Sequence, residues 1–97
     1  MTADSKPPVT PALPTIGRIV HVRIGGTDES PILRPATIVR PWGGHTANLV
    51  VTLDGTNDQP ACELAGFAGY QPGALQMWLT SSTLGTRVGE WRWPERT

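Results

Sequence analysis

Four tryptophans, seven arginines and two histidines are the side chains with most chemistry to offer in this chain. Trp91 and Trp93 alternate with Glu90 and Arg92 and run into Pro94, Glu95 and Arg96. Such a Trp-Arg-Trp-Pro end can stack a base or a sugar ring and offer a guanidinium to phosphate. It can equally pack against a second subunit, because Trp and Arg are the residues most enriched at interface hot spots, or fill a core. Trp42 and Trp78 are expected to be core, where an indole is the largest apolar payload open to a small domain. Histidine is the side-chain type that exchanges protons near neutrality. His45 follows Gly43 and Gly44 in a turn, which predicts a surface or turn-stabilising role, and His21 is expected to pair with a cross-strand acceptor.

Asp54, Asn57 and Asp58 place oxygen ligands close together, which suits a divalent cation. Their spacing is not that of an EF-hand loop, and capping of a turn by Asp and Asn is the expectation. There is no Gly-Lys-Ser/Thr phosphate loop, no paired-histidine metal motif, no nucleophile elbow around a serine and no Cys-x-x-Cys. An enzyme would have to work with scattered groups. The expectation is a protein without catalytic residues, metal or cofactor.

The elements that position these residues read as β-structure. Val20, Val22 and Ile24 alternate with His21 and Arg23 along a first strand expected from Ile16 to Ile24. A second run, Ile32 to Trp42, contains Pro35, which cannot donate to a ladder and so implies an edge position or a bulge. The third run has the cleanest pattern, with Ala47, Leu49, Val51 and Leu53 on one face and Asn48, Val50 and Thr52 on the other. Gln59 to Gly73 reads as a long excursion with one helical turn near Ala61 to Leu64. Leu75 to Leu79 is a fourth strand and Thr86 to Trp93 a fifth. Short strands with turn-rich links predict an all-β fold, a small five-stranded, partly open barrel of the SH3-like or OB-like kind. Residues 1–15, with Pro7, Pro8, Pro11 and Pro14, are expected to be a flexible arm, and residues 16–97 the barrel domain.

A folded part of roughly 80 residues buries only about 60 to 65% of its unfolded surface, so association with further copies would relieve a small core. Eight basic and eight acidic residues balance. That balance removes the electrostatic footprint of a protein that binds duplex nucleic acid without sequence preference. Seven of the eight basic residues are arginine, whose planar fork of donors favours interfaces or an anionic ligand. The lone Cys62 excludes an internal disulfide and a Cys-rich zinc site, which makes a reducing compartment the simpler expectation. No apolar run reaches the roughly 18 residues of a membrane span, so no membrane partner is expected.

Four blocks carry a resemblance: Gly17 to His21, Arg34 to Trp42, Asn48 to Asp58, and Trp91 to Arg96. Together they resemble a family of small, mostly uncharacterised proteins of tailed bacteriophages and prophages. The resemblance supplies no catalytic residues. It implies a viral setting, in the host cytoplasm or the virion, and two suitable tasks. One is an anti-defence sponge, a small homo-oligomer that sequesters a nucleotide-derived signal. The other is decoration or joining of virion parts, including head-tail connection. Arg34-Pro35-Ala36 also resembles a short piece of the MazF kind of endoribonuclease toxin, without that family's downstream threonine pattern. The residues expected to hold a nucleotide-like ligand are Trp42 and Trp91 for stacking, Arg23, Arg40 and Arg92 for phosphate, and Asn48 for a base edge or ribose hydroxyl.

Overall fold

The structure, a computed structural model, describes residues 11–95. Strands β1 (Ile19–Gly26), β2 (Pro31–Gly43), β3 (Thr46–Thr52), β4 (Gln76–Thr83) and β5 (Trp91–Arg92) form one antiparallel sheet in the order β4-β3-β2-β1-β5. The sheet curls without closing. Beyond β4 the chain turns back beside β5, where Leu84 bridges Trp91 in parallel and the Gly85 N–H donates to the Trp91 carbonyl at 2.9 Å. The result is the small, five-stranded, partly open all-β barrel that the strand pattern predicts.

The inward positions are those of the alternation. Val20, Val22 and Ile24 of β1, Ala36 and Ile38 of β2, and Ala47, Leu49 and Val51 of β3 are essentially fully buried. Ile16, expected to open the first strand, lies before β1 and is 74% exposed. Pro35 lies within an interior strand, not at an edge. It pairs with His21 of β1, while the ladder to β3 begins only at Ala36, so no partner on that side asks proline for an N–H. The β2–β3 hairpin turns at Gly44 and His45, where Gly43 and Gly44 have φ of 108° and 53°, values that suit glycine.

The long excursion carries more helix than the single turn expected. A 3-10 turn, Gly55–Asp58, leads into helix α1, Gln59–Ala65. Pro60 stands in its first turn, and Gly66 ends it in the left-handed conformation, donating its N–H to the Cys62 and Glu63 carbonyls. Cys62 points into the core with no exposed surface, so α1 caps one end of the barrel. The fifth strand is much shorter than Thr86 to Trp93, because 86–90 forms a turn and only Trp91–Arg92 joins β1.

Of the expected arm, residues 11–15 are described and residues 1–10 lie outside the described part. The Trp93 indole N–H donates to the Ala12 carbonyl at 3.0 Å, His45 Nε2 lies 3.2 Å from the Pro11 carbonyl, and Pro14 is buried.

Candidate functional site on the outer face of the sheet

The tryptophans divide in a way that reverses the expectation. Trp91 is wholly buried, and its indole N–H is shared between the His45 and Ser82 carbonyls at 3.1 Å each. Trp93 meets it edge-on, with ring centroids 5.3 Å apart. Trp42 and Trp78, assigned to the core by residue type, are 50% and 52% exposed. The reason lies in register. Trp78 stands opposite Val50 on β3, and Val50 opposite Thr37 on β2, a row that faces away from the core. Hydrophobicity alone does not say which face of a strand an indole takes.

Arg40, Trp42 and Asn48 come together on this outer face. The Arg40 guanidinium carbon lies 3.9 Å from the Trp42 ring centroid. A guanidinium on an exposed indole contributes roughly 0.5 to 1 kcal/mol. The indole N–H donates to Asn48 Oδ1 at 2.7 Å, and the Ser81 N–H donates to the same oxygen at 2.9 Å. Those two donors fix the amide orientation and leave the Asn48 NH₂ as the group on offer. Arg40 and Asn48 are cross-strand partners beside a bulge in β2. Ser81, in the left-handed region at φ 54°, kinks β4 so that its N–H reaches Asn48. Asn48 and Val50 share a face about 7 Å apart, so the platform runs on to Trp78. Beside Trp78 lies a cavity of about 350 Å³ whose walls include Val50, Gly69, Gln71 and Gln76.

Two of the six expected ligand residues are instead taken up by the fold. Trp91 is one. Arg23, expected to face outward with His21, is only 7% exposed, because the turn before β5 covers that end of β1. Its guanidinium donates to the Gly25, Gly26 and Thr86 carbonyls at 2.9, 2.9 and 3.1 Å and to Asp28 at 2.8 Å. Trp91 has no exposed surface, and Arg23 spends four of its five N–H donors within the chain.

Arg92 lies apart from the Arg40 cluster. It is the cross-strand partner of His21, which pairs in turn with Pro35. From Pro35 to Arg40 is five residues along β2, roughly 16 Å. His21, Leu33, Arg92, Trp93 and Glu95 line a cavity of about 320 Å³. Arg92 Nε is buried and has no hydrogen-bond partner among the described residues. An unmet buried donor costs about 1 to 3 kcal/mol, and more when charged. The strand neighbours of His21, an arginine and a proline, offer it no side-chain acceptor.

The acidic turn has a structural task that sequence reading missed. Arg34 donates through Nε to Asp58 Oδ2 at 2.7 Å and through Nη2 to Oδ1 at 2.6 Å, and the Asp54 N–H adds a third bond at 2.7 Å. The Arg34 hydrogen bonds hold the Asp58 carboxyl below the usual carboxylate range, against the opposing effect of burial. Arg34 is raised above its ordinary value mainly by the same bonds. Burial, with the Asp58 charge adding, pushes the Cys62 thiol up. Asp58 is thus engaged by the chain itself. No group of three or more His, Cys, Asp or Glu suited to a metal occurs among the described residues.

A further cavity of about 400 Å³, between α1 and the end of β1, is walled by Ile24, Ala61, Leu64, Phe67 and Val88 with no charged group. No described helix is long and apolar enough to cross a membrane. No protein-family model, curated protein or solved structure matches the chain.

Proposed function

We propose that this is a non-enzymatic phage binding protein that acts as a homo-oligomer and sequesters a nucleotide-derived small molecule on the outer face of its sheet. The phage setting rests on the resemblance of the four sequence blocks. The ligand class rests on one observation, the Arg40 guanidinium stacked 3.9 Å from the centre of the half-exposed Trp42 ring, whose N–H is anchored on Asn48. A base extends that stack, the guanidinium pairs a phosphate oxygen, and the Asn48 NH₂ donates to a base edge or ribose hydroxyl. Ile19, Val39 and Trp78, 49%, 49% and 52% exposed, offer apolar area for a second copy on the same face.

Calorimetry and thermal-shift measurements against a panel of cyclic nucleotides and ADP-ribose derivatives test this, with light scattering for the oligomer. The expected result is saturable heat for at least one ligand, weakened about tenfold to a hundredfold by Trp42→Ala, since base–indole stacking contributes about 1 to 3 kcal/mol. Uniform absence of heat and of thermal shift rejects the reading.

The same half-exposed apolar residues favour a second reading, a virion decoration or head-tail protein, which predicts many copies in purified particles. The toxin-like alternative has less support. The Arg34 that carries it is committed to Asp58, and hydrolysis of RNA by the pure protein would be needed to revive it.

A further inference from the structure

Arg23 and Arg34 are built into the fold, with Nε of the first on the Gly25 carbonyl and Nε of the second on Asp58. Arg92 is different. Its Nε is withdrawn from solvent yet meets no acceptor among the described residues, in a native fold where a buried donor is ordinarily paired. The neighbouring strand does not help, since the residue directly across is His21, and beyond it stands Pro35. The cavity beside Arg92 has an apolar wall at Leu33 and an indole wall at Trp93. Trp93 is fixed in place by its bond to Ala12, by the edge contact with Trp91 and by Arg18, whose guanidinium lies 5.1 Å from its ring centroid.

We propose that this cavity is a binding site for a small organic oxyanion, a phosphate or carboxylate with a flat apolar body, anchored by Arg92. The planar guanidinium presents paired donors that match two oxygens of such an anion, which also supplies a counter-charge to an arginine whose buried Nε goes unmet. The flat body lies against Leu33 and Trp93, and His21 stands beside the anion as a further polar contact. About 320 Å³ is at the small end of ligand cavities and suits a molecule of one ring and one anionic group. Glu95 is the acidic residue lining the cavity, and it forms no ion pair with Arg92 among the described residues. It opposes the anion and sets a limit on affinity. The cavity shares no lining residue with the Trp42 face.

The test is a titration followed by nuclear magnetic resonance at the Arg92 Nε–H and the Trp93 indole N–H, with inorganic phosphate, phenyl phosphate, acetate and benzoate as probes. Both signals are expected to shift saturably, with phenyl phosphate binding more tightly than inorganic phosphate and benzoate more tightly than acetate. Which ring-bearing probe binds better decides between phosphate and carboxylate. Arg92→Lys keeps the charge and loses the fork, and is expected to weaken binding about tenfold at an unchanged unfolding midpoint. Glu95→Gln is expected to strengthen it. The proposal is overturned if no probe gives saturable shifts, if Arg92→Lys binds as the wild type does, or if Glu95→Gln alone moves the Arg92 Nε–H signal and adds no affinity. The last result would make Glu95 the donor's own partner.

Discussion

Arg34 grips both carboxylate oxygens of Asp58, at 2.7 and 2.6 Å, and so ties the middle of the sheet to the turn that starts α1. The two partners are unequal: the Asp58 side chain is 2% exposed and that of Arg34 27%. Removing the guanidinium strands a buried carboxylate, whereas neutralising the carboxylate leaves an arginine that water can reach. Arg34→Met is therefore expected to cost about 3 kcal/mol in denaturant unfolding and Asp58→Asn about half of that. Equal losses would mean that the pair is solvated like a surface bridge.

The same pair sets an acid limb. Because the Asp58 carboxyl is held down in the folded state, its contribution is complete above the ordinary carboxylate value near pH 4, and fades as pH falls through the depressed folded value. Arg34 is raised, so its contribution is complete at every pH below its ordinary value and adds no acid limb. The stability gap between wild type and Asp58→Asn is expected to be constant from about pH 5 to pH 8 and to shrink below about pH 4. A gap that persists unchanged at low pH would contradict the assignment.

Trp91 is expected to matter to stability in a way that Trp42 does not. It fills the space between β1, β5 and the segment after β4, and its N–H serves two carbonyls. Trp91→Phe removes volume and that shared donor, for an expected loss of roughly 2 to 3 kcal/mol in urea unfolding. Trp42→Phe, at a half-exposed position, should stay within about 1 kcal/mol of wild type. Similar losses would show that exposure does not separate the two roles.

These two residues also mark how far the fold and the site could be read from residues alone. The alternation Ala47, Leu49, Val51, Leu53 specified β3 and its buried face because every member is apolar and every intervening residue tolerates solvent. Tryptophan satisfies either side of a strand, so its side was settled by ladder register, which residue types do not encode. The Arg34–Asp58 clasp spans 24 positions and has no local signature. Arg23 looked outward by parity, and only the long-range turn at 86–90 buries it. Arg40 and Trp42 stand two apart on β2, a spacing that allows one face, yet their stacking depends on a long flexible side chain that residue types do not fix.

Cys62 offers a probe of local opening. It is fully buried in α1, and burial, reinforced by the Asp58 charge, raises its thiol so that little thiolate exists near neutrality. Reaction with Ellman's reagent is expected to be at least about a hundredfold slower in the native protein than in denaturant. Arg34→Met, which loosens the turn before α1, should speed it. Native reactivity close to that of the unfolded chain would mean that α1 detaches readily from the barrel end.

Asn48 separates scaffold from binding. Its Oδ1 is the acceptor for the Ser81 N–H and the Trp42 indole, while its NH₂ is the group offered to a ligand. Asn48→Ala removes both and is expected to cost about 1 kcal/mol of stability along with ligand binding. Asn48→Asp keeps an acceptor for both donors but replaces the NH₂ with an oxygen, and it places a negative charge directly across from Arg40. That charge competes with Trp42 for the guanidinium and repels a phosphate. Stability of Asn48→Asp should therefore lie within about 0.5 kcal/mol of wild type while nucleotide binding falls by tenfold or more. If Asn48→Asp binds as tightly as wild type, Asn48 only holds β4 and Trp42 in place, and the ligand is held by the guanidinium and indole without it.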